Sequence, residues 1–301
     1  MNRNSIALIA AGVFVVGLPV WLAHSLVSES RSRGWTTISA GTVREAIDAF
    51  KNEGFDPEAA IASGVARIPK VFLAELPGDL KNVTNTDRRK ALFVSIVLPH
   101  VLRANDRLRE DRARLLRLQA AHRAEKTFGG RDRKWLKRLA EIYRTKPLAF
   151  EDLLLRVDVV PPRLAIAQAV QESGWGTSRF ARVANALFGQ HAPVGGDAIT
   201  AKGDSAVALK AFATIQRSVL GYMRNLNSHQ AYAQFRTMRA EMRGNGRALD
   251  AIALAGSLGR YSEEGALYVE RLRTVMQMPE VAGARWFIRA VFWPPEILNP
   301  R

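Results

Sequence analysis

Residues 161–189 read PPRLAIAQAVQESGWGTSRFARVANALFG, a helix with its own start and stop signals followed by a glycine turn. Pro161 and Pro162 cannot sit inside a helix. They suit its first positions, where the missing N–H has no partner to lose and φ is already set. The run RLAIAQAVQE is rich in good helix formers, and Gly174 and Gly176 end it. Glu172 therefore stands at the end of an apolar helix, close to the aromatic Trp175. Burial at such a place disfavours the charged carboxylate and raises its pKa, as a general acid working near neutral pH requires. Taken alone, a glutamate at a helix end is more commonly a cap or a solvated terminus.

Outward from this stretch the chain is mostly helical. Downstream, the loop 191–204 carries Gly195, Gly196 and Gly203, and VALKAF after it is the one strand-like piece. Helical spacing resumes over 216–225, 232–242, 249–258 and 267–276. Upstream, Val43, Ala46, Ile47 and Phe50 recur at helical spacing after Thr42. The turn NVTNTD (82–87) places Thr86 or Asp87 as N-cap of a helix through 91–98. Pro99 is expected to close that helix, with a basic helical stretch running on to about Gln119. Gly129-Gly130 breaks the pattern before a short helix over 134–143, and residues 28–40 read as a polar linker. The predicted class is α+β, mainly α, with one small β excursion.

Composition narrows the function classes. The 301 residues carry 44 Lys+Arg against 28 Asp+Glu, a formal +16, and are 48% hydrophobic. That content is too high for a disordered chain. With no cysteine, disulfides, thiolate metal sites and a Cys nucleophile are excluded. The excess charge is local. Residues 103–147 hold 15 basic and 6 acidic groups, whereas 148–280 hold 15 and 12. Arg107, Arg109, Arg112, Arg114 and Arg117 read first as a solvated helical face and second as a seat for an anionic membrane surface or wall polymer. No aromatic residues interleave them as stacking platforms, so nucleic acid is not expected. His24, His100, His122, His191 and His229 form no ligand-spaced pair, and no metal or other cofactor is expected.

The string AQAVQESGWGTSRFARVANALFG (167–189) resembles the glucosaminidase domain of bacterial peptidoglycan hydrolases, in which Glu-Ser-x-Trp-Gly is followed by Asn-x-Leu-Phe-Gly. The segments IPKVFLAELPGDL, RRKALFVSIVLPHVLRANDRLREDR and GYMRNLNSHQAYAQFR are similar to the Bax-type branch of that family, and the resemblance spans about 67–276. It implies a lysozyme-like helical domain with a small β-lobe and hydrolysis of the β-1,4 bond after N-acetylglucosamine in peptidoglycan. It makes Glu172 the catalytic acid. It also brings Tyr261, in RYSEEGALYVERL, to the cleft as a hydrogen-bonding phenol, although an aromatic packed at a helix junction is the plainer alternative. Trp175, Asn185, Phe188 and Gln190 are the substrate-binding candidates. Trp175 and Phe188 serve as cleft wall and core or as sugar platforms, and Asn185 either binds a sugar or braces its loop.

A second carboxylate is expected in the β-lobe, yet GQHAPVGGDAITAKGDSAVALKAF (189–212) contains no glutamate, and Ala208 stands near its place. Asp197 and Asp204 are the acids available as base. Without either, the acetamido group of the substrate would assist. A lytic transglycosylase and a non-catalytic glycan-binding scaffold are the competing functions.

The ends suggest location. Residues 5–27 are apolar over 23 positions with no charge, enough to cross a bilayer. An uncleaved anchor holding the catalytic part in the periplasm is expected, with a cleaved signal ending near Ala23-His24-Ser25 as the alternative. The tail 284–301 mixes Trp286, Phe287, Phe292 and Trp293 with Arg285 and Arg289, which suits either a membrane interface or packing onto the domain. The expected organisation is an anchor (1–28), a linker with a short helix (29–66), a basic helical region (67–147), the catalytic domain (148–280) and the tail (281–301).

Overall fold

In the computed structural model, which describes residues 36–63, 71–191, 198–201 and 204–283, the chain begins with β1 (Thr36–Ile38), α1 (Val43–Asn52), α2 (Pro57–Ser63) and β2 (Val71–Leu73). It continues through α3 (Thr86–Arg123), α4 (Gly130–Tyr143), α5 (Phe150–Arg156), α6 (Pro162–Ser173) and α7 (Arg179–Ala184). A hairpin, β3 (Ala198–Ala201) and β4 (Asp204–Lys210), precedes α8 (Ile215–Ser228), α9 (Ala233–Gly244), α10 (Ala251–Ala255), α11 (Ala266–Gln277) and α12 (Pro279–Ala282). The mainly helical class is thus what the described residues show. Among them no helix is long and apolar enough to cross a membrane. The expected anchor (5–27), the tail (284–301) and Asp197 lie outside the described residues.

At the centre is α6. Leu164, Ala165, Ile166, Ala167, Ala169 and Val170 are all buried, so most of the helix surface is apolar and packed, as suits a helix with neighbours on several sides. Its alanines let α3, α10, α11 and α12 approach it. Pro162 occupies its first turn, and Gly174 ends it at φ +57° with its N–H donating to the Val170 carbonyl. The turn continues through Trp175 (φ +58°) and Gly176 (φ +75°). At Gly176 a Cβ would lie 2.9 Å from the Leu76 and Phe93 side chains, so the glycine is required by packing as well as by φ.

Three local expectations are corrected. α3 does not stop at Pro99 but runs unbroken for 38 residues. The proline deletes one backbone donor, but residues 91–102 are buried without a gap, and that packing outweighs the local defect. The N-cap of α3 is Asn85, whose Oδ1 accepts from Arg88 N at 2.9 Å, one residue before the predicted Thr86. Residues 36–38, expected to be linker, pair in parallel with β2 in the register Thr36↔Val71, Thr37↔Phe72, Ile38↔Leu73. Three residues of strand are too few to show an alternation. At the start of α1, where the helical spacing after Thr42 begins, Thr42 and Glu45 form a reciprocal capping box that the sequence reading did not name.

The basic region and the expected catalytic domain share one core. Asn105 of α3 exchanges two hydrogen bonds with the Val160 backbone, at 2.8 and 3.0 Å. His100 spans from the Leu73 carbonyl (2.9 Å) to Gln216 Oε1 (3.1 Å). Burial pushes this imidazole down to about 4, so the ring is neutral at pH 7 and its single N–H donates to one of these two oxygens. Asp158, on the approach to α6, is buried among arginines of two helices. Arg243 holds both its carboxylate oxygens, Arg112 Nη1 lies 3.7 Å away and Arg239 Nε 3.8 Å. Burial pushes the Asp158 carboxyl up, but the Arg243 hydrogen bond and the charges of Arg239, Arg243 and Arg112 outweigh it and hold the group below the usual carboxylate range.

These contacts also revise the basic face. Arg109 pairs with Asp106, Arg112 donates to the Leu154 and Val157 carbonyls, and Arg114 binds Asp132 at 2.6 Å. Three of the five arginines read as a solvated face are therefore committed to protein partners. Half of the exposed cations of 103–147 stand on α4, where Arg131, Arg133, Lys134, Lys137 and Arg138 are exposed while Leu136, Leu139, Ala140 and Tyr143 face the core.

Candidate active site

Glu172 and Gln168 are four residues apart on α6, hence on one face of it. The segment 185–190 crosses the end of that face. Asn185 caps α7 in the left-handed region, at φ +50°, and turns the chain toward the core. Phe188 follows and stacks flat on Tyr222, with centroids 4.0 Å apart. Gly189 then passes the carboxyl so closely that a Cβ would stand 2.6 Å from Glu172 Oε2, and its φ is +58°. Both the approach and the backbone demand glycine. The Glu172 carboxyl thus lies directly against the Phe188-Gly189 backbone.

Tyrosines surround it. Tyr268 of α11 stands beside the Glu172 carboxyl, where its phenol favours the charged form, and accepts a 3.0 Å hydrogen bond from Gln168 Nε2. Tyr222 of α8 donates to Gln168 Oε1 at 2.7 Å. Tyr261 stacks on Tyr268 with centroids 5.6 Å apart and planes 5° from parallel, and its Oη donates to the Phe188 carbonyl at 2.8 Å. Tyr232 lies 5.8 Å from Tyr261, centroid to centroid. Burial pushes Glu172 up to about 7, with the charge of Glu264 adding to the effect and the Tyr268 hydrogen bond opposing it. Burial, together with Tyr268 and Glu172, pushes the Tyr261 phenol well above its ordinary value. The site therefore holds one carboxyl that exchanges its proton near neutrality, within phenols that stay neutral.

The predicted residues divide into those at Glu172 and those away from it. Tyr261 joins the cluster through the Phe188 carbonyl. Trp175 is half-buried, edge-on to Phe93 at 6.0 Å with Lys90 Nζ 5.6 Å from its ring centroid. Asn185 braces the loop through Nδ2 to the Phe212 carbonyl at 3.0 Å. Gln190 ties the hairpin down, its carbonyl accepting from Lys210 N at 2.8 Å. The Oδ1 of Asn185 and the Oε1 of Gln190 are buried without a hydrogen-bond partner among the described residues. Of the two readings of Phe188, the structure selects core over sugar platform: it is 1% exposed and stacked on Tyr222, so its ring presents no face to a sugar. Asp204 opens β4 opposite Ala201, beside an irregularity in the ladder. Ala208 pairs with Thr200 in the same hairpin.

Sequence reasoning missed Tyr268, Gln168, Tyr222 and Glu264. Gln168 stands one helical turn before Glu172, and that spacing was the available signal. The tyrosines carry none, because they reach the site from other helices. Glu264 hydrogen-bonds Arg271 through both carboxylate oxygens, at 2.8 Å each. Among the described residues no cluster of three or more His, Asp or Glu side chains is placed to hold a metal ion.

A family model described as mannosyl-glycoprotein endo-beta-N-acetylglucosaminidase matches residues 149–279. Over 210 residues the chain is 32% identical to Protein bax of Escherichia coli (strain K12), which covers 68% of this chain and 74% of that protein. Among solved structures, the catalytic domain of the autolysin Auto from Listeria monocytogenes aligns with a TM-score of 0.33 and 15% identity, over 56% of this chain and 96% of that one. The Glu172–Gly189 constellation thus lies inside the matched region, and the chain belongs to the glucosaminidase family, in its Bax-type branch.

Proposed function

We propose that this chain is a peptidoglycan glycosidase, a β-N-acetylglucosaminidase that cleaves the β-1,4 bond after N-acetylglucosamine with Glu172 as general acid. The observation that carries this reading is the half-buried Glu172 carboxyl, pushed up to about 7 and held against the Phe188-Gly189 backbone. A protonated carboxyl at neutral pH can protonate the leaving glycosidic oxygen. Tyr261 orients the 188–189 backbone through its hydrogen bond to the Phe188 carbonyl. Trp175 is assigned to the glycan through its half-exposed ring, while Asn185 and Gln190, whose unpaired side-chain oxygens are buried, hold the loop and hairpin that border the site. The attacking water is activated by Asp197 or Asp204 of the hairpin region, or its role is taken by the acetamido group of the substrate. A wall-acting enzyme of this kind belongs in the bacterial envelope, with the apolar stretch 5–27 as its inner-membrane anchor.

The test is product identity. Purified peptidoglycan digested with the protein is expected to yield new reducing N-acetylglucosamine ends by mass spectrometry. Anhydromuramic ends would make the protein a lytic transglycosylase, and no new ends would make it a glycan-binding scaffold.

We propose further that the cations of residues 103–147 hold the enzyme near an anionic membrane surface or wall polymer, chiefly through the exposed face of α4. Lys134→Glu combined with Lys137→Glu and Arg138→Glu is expected to weaken co-sedimentation with anionic vesicles or isolated sacculi at low salt while leaving the fold intact, since all three residues are exposed. Unchanged binding to both would refute that assignment.

A further inference from the structure

The hydrogen bonds beneath Glu172 run in one direction across three helices. Tyr222 Oη on α8 donates to Gln168 Oε1 at 2.7 Å. That leaves the amide of Gln168 on α6 to donate from Nε2 to Tyr268 Oη on α11, at 3.0 Å. Tyr268 Oη accepts from Gln168 and so keeps its own proton to give, and the neighbouring Glu172 carboxyl is the acceptor within its reach. Gln168 and Tyr222 are 0% exposed and Tyr268 1%, so water does not compete for these groups. An amide cannot ionise, and each bond polarises the next in the same sense.

A carboxylic acid has two oxygens and carries one proton. An oxygen already accepting from a phenol is a poor place for it. We propose that Tyr268 is a positioning residue which, aligned by Tyr222 and Gln168, occupies one carboxyl oxygen of Glu172 and thereby confines the transferable proton to the other. The inference rests on the reading of Glu172 as the acid and adds how that acid is oriented. The titratable groups facing Glu172 are Tyr222 from α8, Tyr232 ahead of α9, Tyr261 and Glu264 ahead of α11, and Tyr268 itself. Of these Glu264 is the one other carboxyl, and its two oxygens accept from Arg271 rather than from the hydrogen-bond chain.

The sign follows from which form the bond favours. A phenol donating to a carboxylate stabilises the charged form, so losing it raises the Glu172 midpoint. In 13C NMR of glutamate-labelled protein, with the Glu172 resonance assigned by its absence in Glu172→Gln, Tyr268→Phe is expected to move the midpoint to higher pH by roughly 1 to 2, the size of one charge-assisted hydrogen bond. Gln168→Met, which keeps the phenol but removes its alignment, should move it the same way by less. In the wild type, the Tyr268 ring 13Cζ should follow the Glu172 titration with one midpoint, a readout that survives misfolding of either variant. On peptidoglycan, Tyr268→Phe should lower kcat with KM retained, and the alkaline fall of its rate should move to higher pH. A folded Tyr268→Phe with an unmoved midpoint, or a Tyr268 signal blind to Glu172, would overturn the inference. A wild type that titrates as described but cleaves nothing would instead count against the enzymatic reading and leave the hydrogen-bond chain standing.

Discussion

Glu172→Gln is expected to slow glycan cleavage by about 10²- to 10⁴-fold, the usual contribution of a positioned general acid, while unfolding temperature and binding to sacculi stay near wild type. Glutamine keeps the shape of the side chain and can still accept from Tyr268, so only the exchangeable proton is lost. The pH dependence supplies an independent check. A general acid works in its protonated form, and Glu172 is pushed up to about 7. The wild-type rate should therefore fall as pH rises through about 7, and the residual rate of Glu172→Gln should lack that limb. A glutamine variant with wild-type turnover would remove Glu172 from the chemistry.

The second large effect concerns stability. Asp158→Ala is expected to cost about 3–5 kcal/mol, because removing one partner of a buried ion pair strands the other. The stranded group is Arg239, fully buried at 0% exposure and pushed down to about 10 by that burial against the opposing charge of Asp158. Three of its remaining hydrogen bonds go to the carbonyls of Leu155, Asp158 and Val159, which do not replace a counter-charge. In a domain of this size the loss corresponds to a fall in unfolding temperature of roughly 10 °C, measurable by circular dichroism. Asp158→Asn, which keeps the shape and one acceptor, should lose less. The folded Asp158 carboxyl lies below its unfolded value of about 3.9. Its contribution is therefore complete above that value and disappears as pH falls through the lower folded one, so the gap between wild type and variant should narrow in acid. Equal melting of wild type and Asp158→Ala at neutral pH would show the arginine cluster to be energetically idle.

How much of the site was legible depended on the kind of signal. The place of Glu172 at a helix end could be read because two prolines start its helix and two glycines end it, whereas its role came only from the resemblance of 167–189 to the glucosaminidase domain. Gly189 could be noted as part of a motif, but the reason for it, a carboxyl oxygen where its Cβ would be, is a tertiary fact. Phe188 stayed open between core and sugar platform because an aromatic in a motif looks the same in sequence whether it faces a sugar or Tyr222. Pro99 misled for a related reason: a local helix breaker was judged without the burial of residues 91–102 that overrides it.

By itself the sequence determined the helical class, the bounds of the central helix and the acid at its end, since φ restriction at proline, freedom at glycine and apolar spacing act within a few residues of chain. Only the tertiary structure decided what that acid touches. Gln168 meets Tyr222 across 54 residues and Tyr268 across 100, and Arg243 meets Asp158 across 85. Such partners are chosen by which helix faces pack together, and the desolvation that lifts the pKa of Glu172 exists only once they do.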